Sequence, residues 1–399
     1  MADLKKFSFQ MIPPPSGNKF FDWRERGDKD EFVRFGEDNL FPQNTIELYN
    51  KSSIHAAAVN AIVEGIIGKG LTANEEVYLE RANKKNETWN DIFSKVAIDY
   101  KLHGSFALEI IWSNDRSRID VYHLDFANLR AAEKDVRGKV PGYYLSSKWG
   151  KIGRSRKVIT EEEAMYLPVF DPMTKQEHPH QVFVHKNYRP GQEYYPLPDY
   201  VGAYRVIELD TEIDNFHTNN IRNGLAPSLS ITTFTNGSDD QLRDIQAQLQ
   251  SNYGGTNNAG SLMYIDVDSP ENAPVITPIP QNGADGYYTT INDLVVQKIL
   301  TSHRITSPMI LGIKEAGQLG GRDEMIDAYL LFQNNVIVPF QQSLLRSLEE
   351  ILRVNYPEAV LGVEQKKLLD DGTEQEEVIV DTDTTDQEEN DIQQPELLA

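Results

Sequence analysis

The stretch LGIKEAGQLGGRDEMIDAYLLFQNNVIVPFQQSLLRSLEEIL, residues 311–352, joins a glycine-rich segment to the strongest helical pattern in the chain. Apolar side chains recur on one helical face from Ile326 to Ile351, roughly 39 Å of helix at about 1.5 Å per residue. Pro339 cannot donate a backbone hydrogen bond, and we expect it to kink this helix near the middle. The stretch therefore predicts a long, bent helix that begins just after a glycine-rich segment.

The glycine-rich segment lacks the pattern of a nucleotide-binding loop. A P-loop has G-x-x-x-x-G-K followed by Ser or Thr, because the lysine and the hydroxyl contact the phosphates and the metal. Here Gly320 and Gly321 are followed by Arg322 and Asp323, and GIIGKG at 65–70 has the wrong spacing and no hydroxyl after its lysine. A hinge, an ordinary connection and a loop that contacts a passing ligand all stay open.

Composition excludes several classes of function. The 399 residues include no cysteine, which excludes disulfide frameworks, thiolate zinc sites and cysteine nucleophiles. The net charge is −22, and residues 370–399 carry −12 of it, so the remainder is only mildly acidic and poorly suited to tight binding of DNA. No apolar window approaches the roughly 18 residues of a membrane span, and the start of the chain lacks the apolar region of a signal peptide. We expect a cytoplasmic protein without a membrane partner.

The first half of the chain predicts an arm, two helices and a small sheet. Residues 1–50 favour an extended arm, because Pro42 and an earlier run of three prolines interrupt any periodicity. Helices are predicted over 53–68 and 75–103, where capping residues, glycines and apolar spacing agree. Alternating segments then predict strands: SFALEIIW, RIDVYHL, GYYLSSKW, EAMYLPVF and QVFVH.

The second half predicts a helix, a compact insert and another helix. Asp199 is a candidate cap for a helix that ends at Asn223, residues 224–286 predict a small α/β insert, and 287–305 predict the second helix. The apolar stripe of the first helix is Val206, Leu209, Ile213 and Phe216. Two rows of acids flank it, Glu208 with Glu212 and Asp210 with Asp214. Each row is a like-charged pair that destabilises an isolated helix by a few tenths of a kcal/mol, so this helix either has cationic neighbours or uses its negative surface.

No motif predicts catalysis. The histidine cluster, His178, His180 and His185, has no H-E-x-x-H pattern and no carboxylate spacing to complete a zinc set, which favours a solvated turn. Asp266 and Asp268 form a D-x-D that is more typical of a strand edge than of a cation site. There is also no G-x-S-x-G nucleophile pattern. We predict a protein that is not an enzyme and has no metal or cofactor, with a metal-dependent nucleic-acid-processing enzyme as the alternative.

Three segments resemble the portal proteins of tailed bacteriophages, the head-to-tail connector family. They are FGEDNLFPQNTIELYNKSSIHAAAVNAIVEGIIGKGL at 35–71, FHTNNIRNGLAPSLSITTF at 216–234, and 302–352, which runs from SHRITSPM through the glycine-rich segment into the long helix. The resemblance rests on the order and spacing of these segments. It implies an α+β, portal-like fold, with a wing of helices and a small mixed sheet, two stem helices that flank a small α/β clip, and a long kinked helix after a tunnel loop.

The resemblance divides the chain as follows. The divisions are 1–50 N-terminal arm, 51–197 wing, 198–223 first stem helix, 224–286 clip, 287–308 second stem helix, 309–325 tunnel-loop region, 326–356 long wing helix, 357–381 hairpin or reduced crown on the Asp371–Gly372 turn, and 382–399 disordered acidic tail. Portal proteins form a ring, commonly of twelve subunits, at one capsid vertex. The family resemblance implies double-stranded DNA, terminase large subunit, capsid protein and head–tail connector proteins as partners, in a virion assembled in the host cytoplasm.

In such a ring the glycine-rich segment would project toward the DNA. Its predicted contact residues are Lys314, Glu315, Gly317, Gln318, Gly320, Gly321 and Arg322. Glycines give the loop flexibility, and a few polar side chains give exchangeable contacts that do not stall a moving duplex. The acidic rows would keep the duplex centred by repelling phosphates, or would pair with Lys or Arg of the next subunit. Another virion or tail-assembly ring protein is the alternative within the same class.

Overall fold

The computed structural model describes residues 23–27, 32–149, 164–223, 227–233, 261–266, 284–305, 307–312 and 322–366, in a mixture of helices and strands. The helices are α1 (Phe41–Lys51), α2 (Ser53–Ile67), α3 (Trp89–His103), α4 (Tyr204–Asn223), α5 (Ala284–Ser302), α6 (Arg322–Phe332) and α7 (Val338–Leu352). The strands are β1 (Glu25–Gly27), β2 (Val33–Phe35), β3 (Gly70–Ala73), β4 (Ser105–Trp112), β5 (Ile119–Leu124), β6 (Leu129–Ala131), β7 (Gly142–Leu145), β8 (Met165–Pro168), β9 (His180–Lys186), β10 (Pro227–Thr233), β11 (Ser261–Asp266) and β12 (Leu361–Glu364).

The chain forms two compact units, residues 1–45 with 105–197, and residues 46–104 with 198–399. The helices and strands together confirm the mixed helix-and-sheet class that the sequence predicts. None of the helices in the described ranges is both long and apolar enough to span a membrane.

The first unit is built on two antiparallel three-stranded sheets. Their strand orders are β5-β4-β9 and β6-β7-β8. On β4, Phe106, Leu108 and Ile110 point to one face and are completely buried. This alternation is what the segment SFALEIIW predicts, because successive side chains of a strand point to opposite faces of the sheet.

A buried arginine holds the first unit together. The Arg130 guanidinium donates to the Asn39 side chain and carbonyl, both at 2.6 Å, and to the Gln43 side chain at 3.1 Å. It also donates to the carbonyls of Ala127 and Leu129 at 3.0 and 2.6 Å. Burial lowers its pKa to about 10, so the group stays charged at neutral pH. Residues from distant parts of the sequence are thus fixed by one side chain.

The second unit packs α2 against α3, with α7 and the strand pair β3–β12 beside them. Gly65 on α2 allows close packing, since a Cβ there would lie 2.7 Å from Ile337 Cδ1. Gln341 on α7 donates to the carbonyls of Gly65 and Ile66 at 3.2 and 3.0 Å. These carbonyls belong to the last turn of α2, where the helix itself supplies no donors, so Gln341 stabilises the helix end.

The long helix predicted from Ile326 is interrupted as expected, but by a different local structure. Residues Gln333–Ile337 form a π-helical turn between α6 and α7. Pro339 then lies in the first turn of α7, where a missing backbone donor is tolerated. The wider turn accommodates the proline ring that would otherwise clash with the carbonyl four residues earlier.

Two helix starts in the first hundred residues differ from the prediction. The extended arm predicted over 1–50 is wrong for 41–50, because α1 begins at Phe41 and places Pro42 in its first turn, where proline is favourable. The helix predicted from residue 75 begins only at Trp89. Thr88 caps it, accepting from Asp91 N at 3.1 Å while the Asp91 carboxylate accepts from Thr88 N at 2.8 Å. This reciprocal capping box fixes the start of the helix at Trp89.

Beyond Pro357 the described residues include β12. The hairpin predicted on the Asp371–Gly372 turn lies outside the described residues and stays a prediction. The preceding segment, β12, pairs antiparallel with β3, so its partner is a strand near residue 70. A strand this far from its partner in sequence has no local signal, because the turn chemistry that marks a hairpin is missing.

Candidate functional site at the paired helices

The helices α4 and α5 pack against each other in the second unit. Between them in sequence, β10 and β11 form a parallel pair with Pro227 beside Ser261 and Thr233 beside Asp266. A parallel pair requires a crossover connection, so the two strands belong to one insert that leaves α4 and returns to α5. Asp266 is the last residue of β11, and Asp268 lies outside the described residues.

Helix α4 does not begin where the sequence predicts. Asp199 was expected to cap it, but Val201–Ala203 form a 3-10 turn and α4 starts at Tyr204. The Asp199 carboxylate is instead used in two salt bridges, to Lys101 Nζ at 2.7 Å and to Arg304 Nη2 at 3.2 Å. A side chain that neutralises two cations is not available to a helix terminus.

Lys101 is the buried centre of this cluster. Its side chain is fully buried, and Nζ lies 5.4 Å from the Tyr200 ring centroid and 5.2 Å from that of Phe340. Burial lowers the pKa of Lys101, and the charge of Asp199 opposes that shift. The charge is thus held by one carboxylate and two aromatic faces, at the point where α3 ends and the chain enters α4.

Two histidines meet beside Lys101. His55 Nδ1 and His303 Nε2 are 2.9 Å apart, and the Tyr200 ring packs against both, with centroid distances of 4.8 and 4.7 Å. Burial and the nearby Lys101 charge lower the pKa of His55 to about 3. The same causes hold the pKa of His303 well below its ordinary value. Both rings are neutral at neutral pH, and one donates to the other.

The acidic rows of α4 occupy different environments. Asp210 is buried, only 5% exposed, and accepts a hydrogen bond of 2.7 Å from Ser52 Oγ. Burial raises the Asp210 pKa, and the Ser52 bond opposes the shift. Glu208 is half-buried, whereas Glu212 and Asp214 are exposed. Ser52 is also the N-cap of α2 and accepts from His55 N at 3.1 Å. The hydrogen bond between Ser52 and Asp210 therefore connects α4 to the start of α2.

The glycine-rich segment is described only at its two ends. Pro308–Leu311 form a 3-10 turn that Ser307 caps, and Gly312 closes it with φ of +74°, a backbone conformation that favours glycine. The predicted contact residues Lys314, Glu315, Gly317, Gln318, Gly320 and Gly321 lie outside the described residues. Arg322 is the first residue of α6. Their contact with DNA stays a prediction.

The histidine cluster is placed differently from the expectation. The prediction of a solvated turn is wrong for His180 and His185, which lie on β9. His180 Nε2 is 2.5 Å from a carboxylate oxygen of Glu109, and His185 stacks on Phe106 with centroids 5.2 Å apart. The adjoining strand supplies both partners through register, which the spacing of the histidines alone does not reveal.

No protein-family model and no curated protein matches the sequence. Solved structures of a gene transfer agent (GTA) particle do match. A chain in the virion of the native particle superposes with a TM-score of 0.52 at 14% identity, covering 83% of this chain and 86% of that one. Chains from its neck superpose at 0.53 (14% identity, 81% and 84% covered, empty particle, C6 symmetry) and at 0.51 (15% identity, 80% and 83% covered, native particle, C12 symmetry).

An HK97-family phage portal protein from Corynebacterium diphtheriae aligns over 79% of this chain and 93% of its own, at 12% identity and a TM-score of 0.43. The three GTA likenesses show the fold. The chain has the fold of a protein in the neck of a gene transfer agent particle.

Proposed function

We propose that this chain is a portal protein, whose identical copies close into a ring around a channel for double-stranded DNA. The observation that carries the proposal is the order of elements on a neck-protein fold. Helix α4, the β10–β11 insert and helix α5 are followed by a glycine-rich segment and by a long helix interrupted by a π-turn. The protein is a conduit and carries out no reaction of its own.

In this proposal α4 and α5 are the stem helices and the insert over 224–283 is the clip, since α5 begins at Ala284 and not at the predicted residue 287. The clip contacts the terminase large subunit during packaging and head–tail connector proteins afterwards. The wing, 51–197 with 326–356, faces capsid protein, and residues 357–381 replace a crown. The symmetry of the neck reconstructions supports a ring, and the particle in which the matching chains lie supports a place in the virion. Assembly in the host cytoplasm is part of the same proposal.

The tunnel loop in this proposal is residues 313–321, since the predicted loop end at 325 is wrong and α6 begins at Arg322. Lys314, Gln318 and Arg322 offer exchangeable contacts to phosphates, and the surrounding glycines let the loop follow the duplex. Of the acidic residues, Glu208, Glu212 and Asp214 are accessible for centring the duplex or for pairing with a neighbouring copy, whereas Asp210 is occupied inside its own protomer.

Electron microscopy of the purified protein tests the proposal. A funnel-shaped ring with a central hole wide enough for a duplex is the expected result. A compact monomer at all concentrations, or a flat tail-type ring without a funnel, would overturn it.

Deleting Gly317–Gly321 tests the role of the loop independently of ring assembly. We expect the deletion to leave assembly intact and to impair packaging or retention of DNA in particles. Loss of the ring itself, or normal packaging, contradicts a loop that lines the channel.

A further inference from the structure

The loop that follows β9 directs three consecutive backbone amides at one carboxylate. Glu25 Oε1 accepts from Tyr194 N and Tyr195 N, both at 2.6 Å. The Glu193 amide donates to both carboxylate oxygens, at 3.1 Å to Oε1 and 2.8 Å to Oε2. Successive amides that converge in this way form a concavity that binds anions, and their hydrogen bonds to a charged oxygen are stronger than those between neutral groups. We call the amides of 193–195 the amide nest.

Tyr195 fixes one end of the amide nest through contacts that do not involve Glu25. Its hydroxyl donates to the Val33 carbonyl on β2 and accepts from Ala131 N on β6 at 2.9 Å. Its ring, which is buried, stacks on Phe35 with centroids 4.3 Å apart. The backbone at Tyr195 is therefore held by two strands of the first unit, whether or not a carboxylate is bound.

Two lysines fix the other end of the loop. Lys186 Nζ donates to the carbonyls of Glu193 and Tyr194 at 3.3 and 3.2 Å. Lys134 Nζ pairs with the Glu193 carboxylate at 2.6 Å and lies 5.0 Å from the Tyr194 ring centroid. The charges of Lys186 and Glu25 attract each other, so this lysine favours an anion in the amide nest. A site whose donors are already in place binds its ligand without the cost of ordering them.

The element that supplies the carboxylate is small. Glu25 is half-buried and lies on β1, a strand of three residues in a two-stranded sheet with β2. A strand pair of this length is marginal by itself, so the hydrogen bonds from the amide nest contribute to holding β1 in place. Trp23, the first residue described before β1, is 41% exposed. Strand β1 is therefore an exchangeable occupant, whereas the amide nest is fixed by the rest of the unit.

The geometry of the amide nest fits a carboxylate better than a phosphate. One oxygen of Glu25 takes all three amides and the second oxygen shares the Glu193 amide, so a planar, two-oxygen anion satisfies the site. A phosphate would bring further oxygens and a second negative charge to a loop that already carries the Glu193 carboxylate, and like charges repel.

We propose that the amide nest is a preformed binding site for a carboxylate, filled by the chain's own Glu25 while β1 is in place and open to an acidic side chain of a partner protein once Glu25 is withdrawn. The site lies within the first unit and does not depend on the proposed portal function.

Rescue by a small anion tests the site in the full-length chain. Glu25→Ala removes the carboxymethyl group, and acetate is the fragment that replaces it. We expect the variant to bind acetate with a Kd on the order of 10 mM, and the wild type to bind it at least about tenfold more weakly because Glu25 competes within the same chain. Ligand-observed NMR at constant ionic strength measures the binding, and far-UV circular dichroism shows that the variant is folded.

Hydrogen exchange locates the bound anion. Peptide fragments that span 190–197 contain the three amides, and their exchange should be at least about tenfold faster in Glu25→Ala than in the wild type. Acetate should restore protection over this segment, whereas chloride at the same ionic strength should not. Glu37→Ala, which removes an exposed carboxylate of the same unit, is the matched control and should behave like the wild type.

Glu25→Gln gives a second test with the side-chain volume kept and the charge removed. Exchange over 190–197 should again be faster than in the wild type, and unchanged exchange would overturn the site. Absence of acetate binding by folded Glu25→Ala has the same meaning, as does equal binding by Glu25→Ala, Glu37→Ala and the wild type, which indicates an adventitious ion only. Inorganic phosphate that binds Glu25→Ala as tightly as acetate does would overturn the assignment to carboxylates.

Discussion

Arg130 and Lys101 are both fully buried cations, one in each unit, and they are satisfied in different ways. Arg130 donates to five oxygens of neutral groups from two segments of its unit, 39–43 and 127–129. Lys101 has one carboxylate, Asp199, which it shares with Arg304. The planar fork of arginine distributes its charge over many fixed acceptors, whereas the ammonium of lysine depends on a single partner. The second unit is therefore easier to break by one substitution than the first.

Asp199→Ala should give the largest loss of stability among these variants. Removing the carboxylate leaves the buried Lys101 charge unpaired, and we expect the free energy of unfolding to fall by about 3–5 kcal/mol. Urea denaturation at pH 7 measures the change. The control Asp214→Ala removes an exposed carboxylate of α4 and should stay within about 0.5 kcal/mol of the wild type. Equal stability of the two variants would show that Lys101 does not depend on Asp199.

Acid should destabilise the second unit through the two buried histidines beside Lys101. The pKa values of His55 and His303 are lowered in the folded state, so the unfolded chain binds protons first as the pH falls below about 6.5. The contribution of His55 is complete above that pH and is lost as the pH falls toward about 3, and His303 acts in the same direction. For His55 the loss is about 1.4 kcal/mol per pH unit, or about 2 kcal/mol by pH 5.

Urea midpoints measured from pH 7 to pH 5 in wild type and in His55→Gln check this expectation. The substitution should remove the part of the pH dependence that His55 causes. A slope that is the same in both proteins would assign the acid sensitivity to other groups.

Arg130→Lys tests the first unit. Lysine cannot reach all five acceptors, and we expect a loss of about 2 kcal/mol as buried oxygens of Asn39 and Gln43 lose their donors. The shift in melting temperature measures it, with the exposed Arg137→Lys as the matched control. A loss as large as that of Asp199→Ala would remove the contrast between the units.

Ser52→Ala should have the smallest effect. It removes the N-cap of α2 together with the hydrogen bond to Asp210, which we expect to cost about 1 kcal/mol. Ser53→Ala, one residue on and exposed, should be nearly neutral. If the two serine variants unfold at the same urea midpoint, Asp210 does not depend on Ser52.

Prediction from sequence succeeded where neighbours in the chain decide the structure. The strand β4 follows from the alternation of Phe106, Leu108 and Ile110, and the interruption of the long helix follows from Pro339. Prediction from sequence failed at the start of α3. The apolar pattern continues back to Glu75, whereas the capping box at Thr88 decides where the helix begins. The same prediction could not find the His55–His303 pair, whose members are 248 positions apart and carry no shared motif.

The amino-acid sequence by itself determined α2, the strand β4, the lack of thiol chemistry, the acidic charge and the order helix, insert, helix, glycine-rich segment, long helix. These properties depend on residue type and spacing along the chain. Only the tertiary structure decided which side of α4 faces inward, because the buried side carries Tyr204 and Ile207 together with Asp210, whose carboxylate accepts from the distant Ser52 hydroxyl. The free energy of burying a polar group depends on its hydrogen-bond partners, and partners from distant parts of the chain cannot be identified from a periodic pattern.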